Sequence, residues 1–193
     1  MMRNWLIFSA ILLAVLKIAF LGWIIASRAA ILQSGVEVTL KIQPVDPRDL
    51  LRGDYVVVNY DIGRIPVSLL TNHPSGAALP EDGKLYVRLR EGEDGHSVAV
   101  SASLDAPVDA PIGDGEVDIL GTFDGGFVPG VSDTLFVDYG IERFYVPEGE
   151  GLAIEEDMRE RPFAIRAAIG RDGTAQIKAL LDEGKVIFEE PIY

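Results

Sequence analysis

Phe163-Ala164-Ile165-Arg166-Ala167-Ala168-Ile169 runs into Gly170-Arg171-Asp172-Gly173 and out through Thr174-Ala175-Gln176-Ile177-Lys178-Ala179. Phe163, Ile165, Ala167 and Ile169 recur at every second position, the period of a half-buried strand. The Gly- and Asp-bearing tetrapeptide turns the chain, and Ala175, Ile177 and Ala179 form the answering row. The stretch predicts an antiparallel hairpin, and therefore a β fold for what surrounds it. Val186 to Phe188 adds a further strand.

The same period continues toward the N-terminus. Val36, Val38, Leu40 and Ile42 alternate with Glu37, Thr39 and Lys41 until Pro44 and Pro47 stop the run, because proline cannot donate to a ladder. Val56, Val58, Tyr60 and Ile62 form one side of a next strand. Leu85, Val87 and Leu89 pair with the row Val98, Val100, Ala102 and Leu104 across an Asp94-Gly95 turn. Val117 to Phe123 and Leu135 to Val146 read as strands. Asp105 to Asp118, rich in Pro, Gly and Asp, reads as a surface loop. One helix is expected, Leu152 to Arg161, with acids early and arginines late as the helix dipole favours, ended by Pro162. The expectation is a mainly β protein: one β-rich sandwich or irregular barrel over 31–193, with one short helix.

Residues 1–30 are different. Trp5 to Ala26 is 22 residues long, about 33 Å as an α-helix, which matches the hydrocarbon core of a bilayer. Trp5 and Trp23 sit at its ends, where indole rings prefer the interface. Thirteen of the 22 are Leu, Ile, Phe or Val, contributing about −6 kcal/mol to insertion against about +3 kcal/mol for Lys17. The segment is read as a single transmembrane anchor, with residues 5–26 in the lipid. Lys17 either snorkels to the interface or meets a membrane-protein partner that offers a carboxylate or carbonyl. A cleaved signal peptide is the rival reading, with Arg3 as its basic region and Ser27-Arg28-Ala29 as its cut site. A short tail ahead of a long domain places that domain outside the cytoplasm.

Composition limits the chemistry. The 193 residues hold 17 Lys and Arg against 30 Asp and Glu, a formal charge of −13, with no Cys. Three of the basic residues and none of the acidic ones lie in 1–30, so the β domain is more acidic still. Such a surface repels nucleic acid. Absence of Cys removes disulfides, thiol catalysis and Cys-ligated metal. His73 and His96 read as loop residues without metal-ligand spacing. No Gly-rich phosphate loop joins a strand to a helix. Carboxylates are plentiful at Asp138, Glu142, Glu148, Glu150, Glu155 and Glu156, and could do acid–base or metal chemistry or simply be solvated.

Gly53-Asp54-Tyr55-Val56-Val57-Val58-Asn59-Tyr60 is the most distinctive motif. Gly53 suits a positive-φ turn, Asp54 can cap it, and Tyr55 and Tyr60 point to opposite faces of a regular strand. The motif resembles the signature of the bacterial GDYXXLXY family of membrane-anchored proteins of unknown function, with Val58 where the name has Leu. Asp46-Pro47-Arg48 resembles the family's upstream element. Glu142, Tyr145, Val146, Glu148, Gly149 and Glu155 resemble its later stretch. The resemblance implies a bacterial membrane location and a domain type without a reaction; with the short tail on the cytoplasmic side, the domain is expected in the periplasm. Leu50-Leu51-Arg52-Gly53-Asp54 is also similar to a turn in membrane-anchored signal peptidases. Their Ser–Met pair, however, is replaced here by Val45 and Asp46, which removes the nucleophile.

The functional expectation is therefore a non-enzymatic interaction module without cofactor or metal. The arms Arg48–Tyr60 and Tyr145–Glu155 are its candidate surface. The alternative is a membrane-anchored carboxylate- or metal-dependent hydrolase, and Asp and Glu side chains converging in a cleft would favour it.

Overall fold

A computed structural model describes residues 2–43, 55–74, 79–124, 133–145, 154, 157–158 and 160–190. Helix α1 spans Met2–Ser34. Ile7–Ser34 is long and apolar enough to cross a membrane, with a mean hydropathy of 2.4, and its most apolar 18-residue stretch is not buried by the rest of the chain. The helix runs past Ala26 and past residue 30. Between helix and first strand only Gly35 remains, and its N–H closes the last turn on the Ile31 carbonyl at 2.8 Å.

Twelve strands follow among the described residues, and all their ladders are antiparallel. In chain order they are β1 (Val36–Gln43), β2 (Tyr55–Val57), β3 (Asn59–Tyr60), β4 (Arg64–Pro66), β5 (Asp82–Glu91) and β6 (Ser97–Leu104). Then come β7 (Glu116–Asp124), β8 (Thr134–Phe136), β9 (Arg143–Tyr145), β10 (Phe163–Ile169), β11 (Ala175–Asp182) and β12 (Lys185–Glu189). One sheet has the order β12-β11-β10-β1-β3 and a second the order β6-β5-β7; β2-β9 and β4-β8 form short two-stranded ladders. The rows read from the sequence meet in one core, where Leu40, Ile165 and Leu180 from the first sheet and Leu85, Leu89 and Ile119 from the second are fully buried. Burial of such rows is the main favourable term in folding, about 25 cal/mol per Å² of apolar surface. The sheets stay open and do not close into a barrel, with β12 and β3 at the two edges of the larger one.

Several stretches depart from simple alternation. The strand expected over Val56–Ile62 breaks at Val58 and becomes a 3-10 turn at Asp61–Gly63. Val58 N–H keeps the β2–β9 register, donating to the Glu142 carbonyl at 2.9 Å, and the chain then changes partner, with Asn59 and Tyr60 pairing with Gln43 and Ile42 on β1. Of the strand expected over Leu135–Val146, the described residues up to Tyr145 likewise divide into β8, a turn at Gly140 (φ 75°) and β9. In the hairpin, a bulge removes Lys178 from the pairing between Arg166 and Ala167. Its ammonium instead reaches Glu37 on β1 at 2.5 Å. Of the expected helix over 152–161, Ile154, Asp157, Met158 and Glu160 are described and helical. Arg161 N–H donates to the Asp157 carbonyl at 2.9 Å, one residue before Pro162.

The acidic loop is built around a cation that the sequence reading passed over. Arg88 on β5 is only 3% exposed. Its Nε and Nη2 donate to the two Asp118 carboxylate oxygens on β7 at 2.8 and 3.0 Å. Nη1 donates to the Ala110 and Pro111 carbonyls at 2.7 and 3.1 Å, and Nη2 to Val108 at 3.3 Å. The planar fork thus satisfies a carboxylate and folds the loop back over the sheet. Arg88→Ala should lower unfolding free energy by about 3–5 kcal/mol, because it strands a buried carboxylate and three carbonyls. Arg88→Leu with Asp118→Leu should lose less, and urea titration of both variants measures the difference.

Candidate functional site

The most constrained part of the molecule is where residues 58–63 meet residues 137–142. The Tyr60 hydroxyl donates to the Ile141 carbonyl at 2.5 Å, and the Tyr139 hydroxyl donates to the Ile62 carbonyl at 2.7 Å. Val137 N–H bonds Gly63 O at 2.9 Å, and Val58 N–H bonds Glu142 O at the other end of the seam. Each segment therefore sends a phenol into the backbone of the other. Both rings are buried, 3% and 6% exposed. Burial, with Glu142 second, raises both phenol pKa values, so they remain protonated donors.

The turn carrying Tyr139 is held by its own carboxylates. Gly140 N–H donates to Asp138 Oδ1 at 2.8 Å, and Tyr139 N–H donates to Glu142 Oε1 at 2.6 Å. Asp138 also exchanges both backbone bonds with Thr122 on β7, each 2.8 Å long. The Glu142 carboxyl is raised to about 7, chiefly by desolvation and then by a hydrogen bond with Asp138 that favours its protonated form; the Tyr139 N–H pulls the other way. A carboxyl titrating near neutrality beside a second carboxyl is able to donate or accept a proton.

These groups face a cleft of about 750 Å³. Asn59, Tyr60, Arg64, Lys84, Asp138 and Glu142 are on its walls. Gln43 at the end of β1 lines it too, which puts the cleft at the end of that strand away from α1, about 23 Å along it. Arg64 lies 5.9 Å over the Phe136 ring, an exposed aromatic on the rim. Among the described residues no group of three or more His, Asp or Glu side chains is placed to hold a metal ion. His96 instead pairs with Asp94 at 3.2 Å in the β5–β6 turn.

The motif residues divide accordingly. Val58 and Tyr60 are buried in the core and at the seam. Tyr55 begins β2 and its backbone pairs with that of Tyr145 on β9, which brings together the two arms expected to form a surface. Tyr145 is 64% exposed and Val57 beside that ladder is 45% exposed. Asp46, Pro47, Arg48, Gly53, Asp54, Val146, Glu148, Gly149, Glu150, Glu155 and Glu156 lie outside the described residues. Lys17 is exposed on α1. Tyr139, which completes the crossed pair, was missed in the sequence; the available signal was Asp138-Tyr139-Gly140, an Asp two residues before a Gly, as in an Asx turn.

A family model described as the GDYXXLXY protein matches residues 17–180. No curated protein and no solved structure matches the chain.

Because Glu142 holds its proton more tightly folded than unfolded, the stability it contributes is full below the unfolded carboxyl pKa, near 4.3, and is lost as pH rises through about 7. The loss should be ~1–2 kcal/mol, allowing for partial solvent exposure. Glu142→Gln should flatten this segment of the stability–pH curve, as thermal unfolding at pH 4.5, 6 and 8 will register.

Proposed function

The chain belongs to the GDYXXLXY family, and on that premise we propose that it is a single-pass membrane protein whose acidic β domain is a non-enzymatic binding module. The observation that carries the reading is the bare face of α1. Phe8, Ile18 and Trp23 are 75%, 70% and 66% exposed, and no part of the β domain covers them. Water opposes exposure of so much apolar surface, and lipid removes the penalty. The Phe20 and Trp23 rings lie 6.3 Å apart, tilted by 34°, near the end of the Trp5–Ala26 run, where an interfacial belt would lie.

The head is placed in the periplasm of a bacterial cell. It works without cofactor or metal, and its negative charge keeps it off nucleic acid. It offers two features to an envelope partner: the cleft, and the exposed strip of Val57 and Tyr145. Lys17 gives a membrane-protein partner a cation within the hydrocarbon region, where a carboxylate or carbonyl is strongly preferred over lipid. A second reading, a carboxylate-dependent hydrolase, is favoured by one observation, the Asp138–Glu142 pair in the cleft. On that reading Glu142→Gln abolishes turnover, whereas a binding module keeps its partner and has no turnover to lose.

Full-length protein should stay in the pellet after alkaline carbonate extraction, and protease added to spheroplasts should digest the head. Release into the supernatant, or protection of the head, overturns the reading. Photocrosslinking from positions neighbouring Lys17 in intact membranes should recover a membrane protein that Lys17→Leu releases at least about tenfold, the scale expected for an intramembrane charge pair.

A further inference from the structure

The foot of α1 is joined to the head without slack. Only Gly35 separates Ser34 from Val36. A Cβ at Gly35 would lie 2.6 Å from the Ile31 carbonyl oxygen and 3.0 Å from that of Ile169, so backbone packs on backbone there. The Ile31 side chain, half-buried, covers Gly170, where a Cβ would come within 3.1 Å of it. Gly170 opens the β10–β11 turn, and Gly173 N–H closes that turn on the Gly170 carbonyl at 3.0 Å.

From this turn a line of backbone contacts crosses to the other sheet. The Gly173 carbonyl accepts the Leu120 N–H of β7 at 2.9 Å. A Cβ on Gly173 would stand 3.0 Å from Leu120 Cβ, which leaves the two chains no gap. Two residues along β7, Thr122 is bonded in both directions to Asp138. Gly121 between them is pressed under Val137 and Tyr139, where a Cβ would sit 2.4 Å from Val137 Cγ1. Asp138 then opens the turn that presents Glu142 to the cleft. Close packing of this kind passes a displacement on rather than absorbing it, since interiors have low compressibility.

We propose that the membrane helix and the cleft are mechanically coupled through Ile31, the Gly170–Gly173 turn, β7 and Asp138, so that the protein relays a change of state between bilayer and head. A tilt of α1 shifts the Asp138–Glu142 turn, and an occupant of the cleft biases the tilt of α1. By linkage the two effects must be reciprocal. The use of this relay rests on the reading of α1 as an anchor and of the cleft as a binding site; its geometry does not.

Spatial continuity alone does not establish coupling, so the test reads both directions. Amide hydrogen exchange is followed in full-length protein in nanodiscs. Ile31→Ala should speed exchange of the Leu120, Thr122 and Asp138 amides by about tenfold, while Gly92 in the β5–β6 turn stays within about twofold of the unaltered protein. Gly140→Val, which strains the positive-φ turn at the cleft, should speed Leu120 and Gly35. Thr122 and Asp138 unchanged in Ile31→Ala overturns the proposal. Where Ile31→Ala speeds every amide alike, Gly140→Val decides, and an unchanged Gly35 overturns it. Carbonate extraction is scored separately: protein that washes out yet shows coupled exchange loses the membrane reading and keeps the relay.

Discussion

Two phenols crossing between two segments set the geometry on which the head depends. Tyr60 and Tyr139 each donate to a carbonyl on the opposite segment, and backbone bonds from Val58 and Val137 close the ends of the seam. Irregular backbone inside a core is costly unless each polar group finds a partner. Here the departures from regular strand at residues 58–63 and 137–142 leave the Ile62 and Ile141 carbonyls without a ladder partner, and the tyrosines satisfy them. The rings also fill volume, so one side chain serves packing and pairing together. The cleft lies beside this seam because the chain has left the sheet there.

The seam also explains the unusual carboxyl at Glu142. One of its oxygens is needed by Tyr139 N–H to hold the turn, and its position half out of water beside Asp138 follows from that need. Its raised pKa is a consequence of building the turn from acids in a confined place. Arg88 shows the opposite solution. A buried guanidinium meets a bidentate carboxylate and three loop carbonyls, and the charge is matched on all sides. One cluster leaves a proton that can move near neutrality, while the other immobilises the acidic loop.

A second constraint is the short path between helix and sheet. With one glycine between Ser34 and Val36, the head has no flexible linker on which to turn. The helix end, the β10–β11 turn and β7 are in backbone contact, and the motif strand lies at the far end of β1. On the proposed reading of α1 as an anchor, this junction would hold the cleft at a set height and angle above the bilayer.

Period-two rows were legible in the sequence, and so was the apolar helix, because both depend on side chains arranged along a single segment. Val36–Ile42, Leu85–Leu89, Val117–Phe123 and the hairpin at Gly170–Gly173 all stand where their alternation places them. The motif from Gly53 to Tyr60 was legible as a family mark, and Tyr60 as sharing a side with Val56, Val58 and Ile62; that this side is the buried one came from the structure. The break at Val58, the partnership of Tyr60 with Tyr139, the burial of Arg88 and the meeting of Asp138 with Glu142 in a cleft were not. Tyr60 bonds a residue 81 positions away and Arg88 one 30 positions away. A local pattern records which face of a segment is apolar, but carries no term for a hydrogen bond whose partner arrives from a distant segment. Those pairings exist only once two sheets have closed over one core and excluded the water that would otherwise have bonded to the same groups.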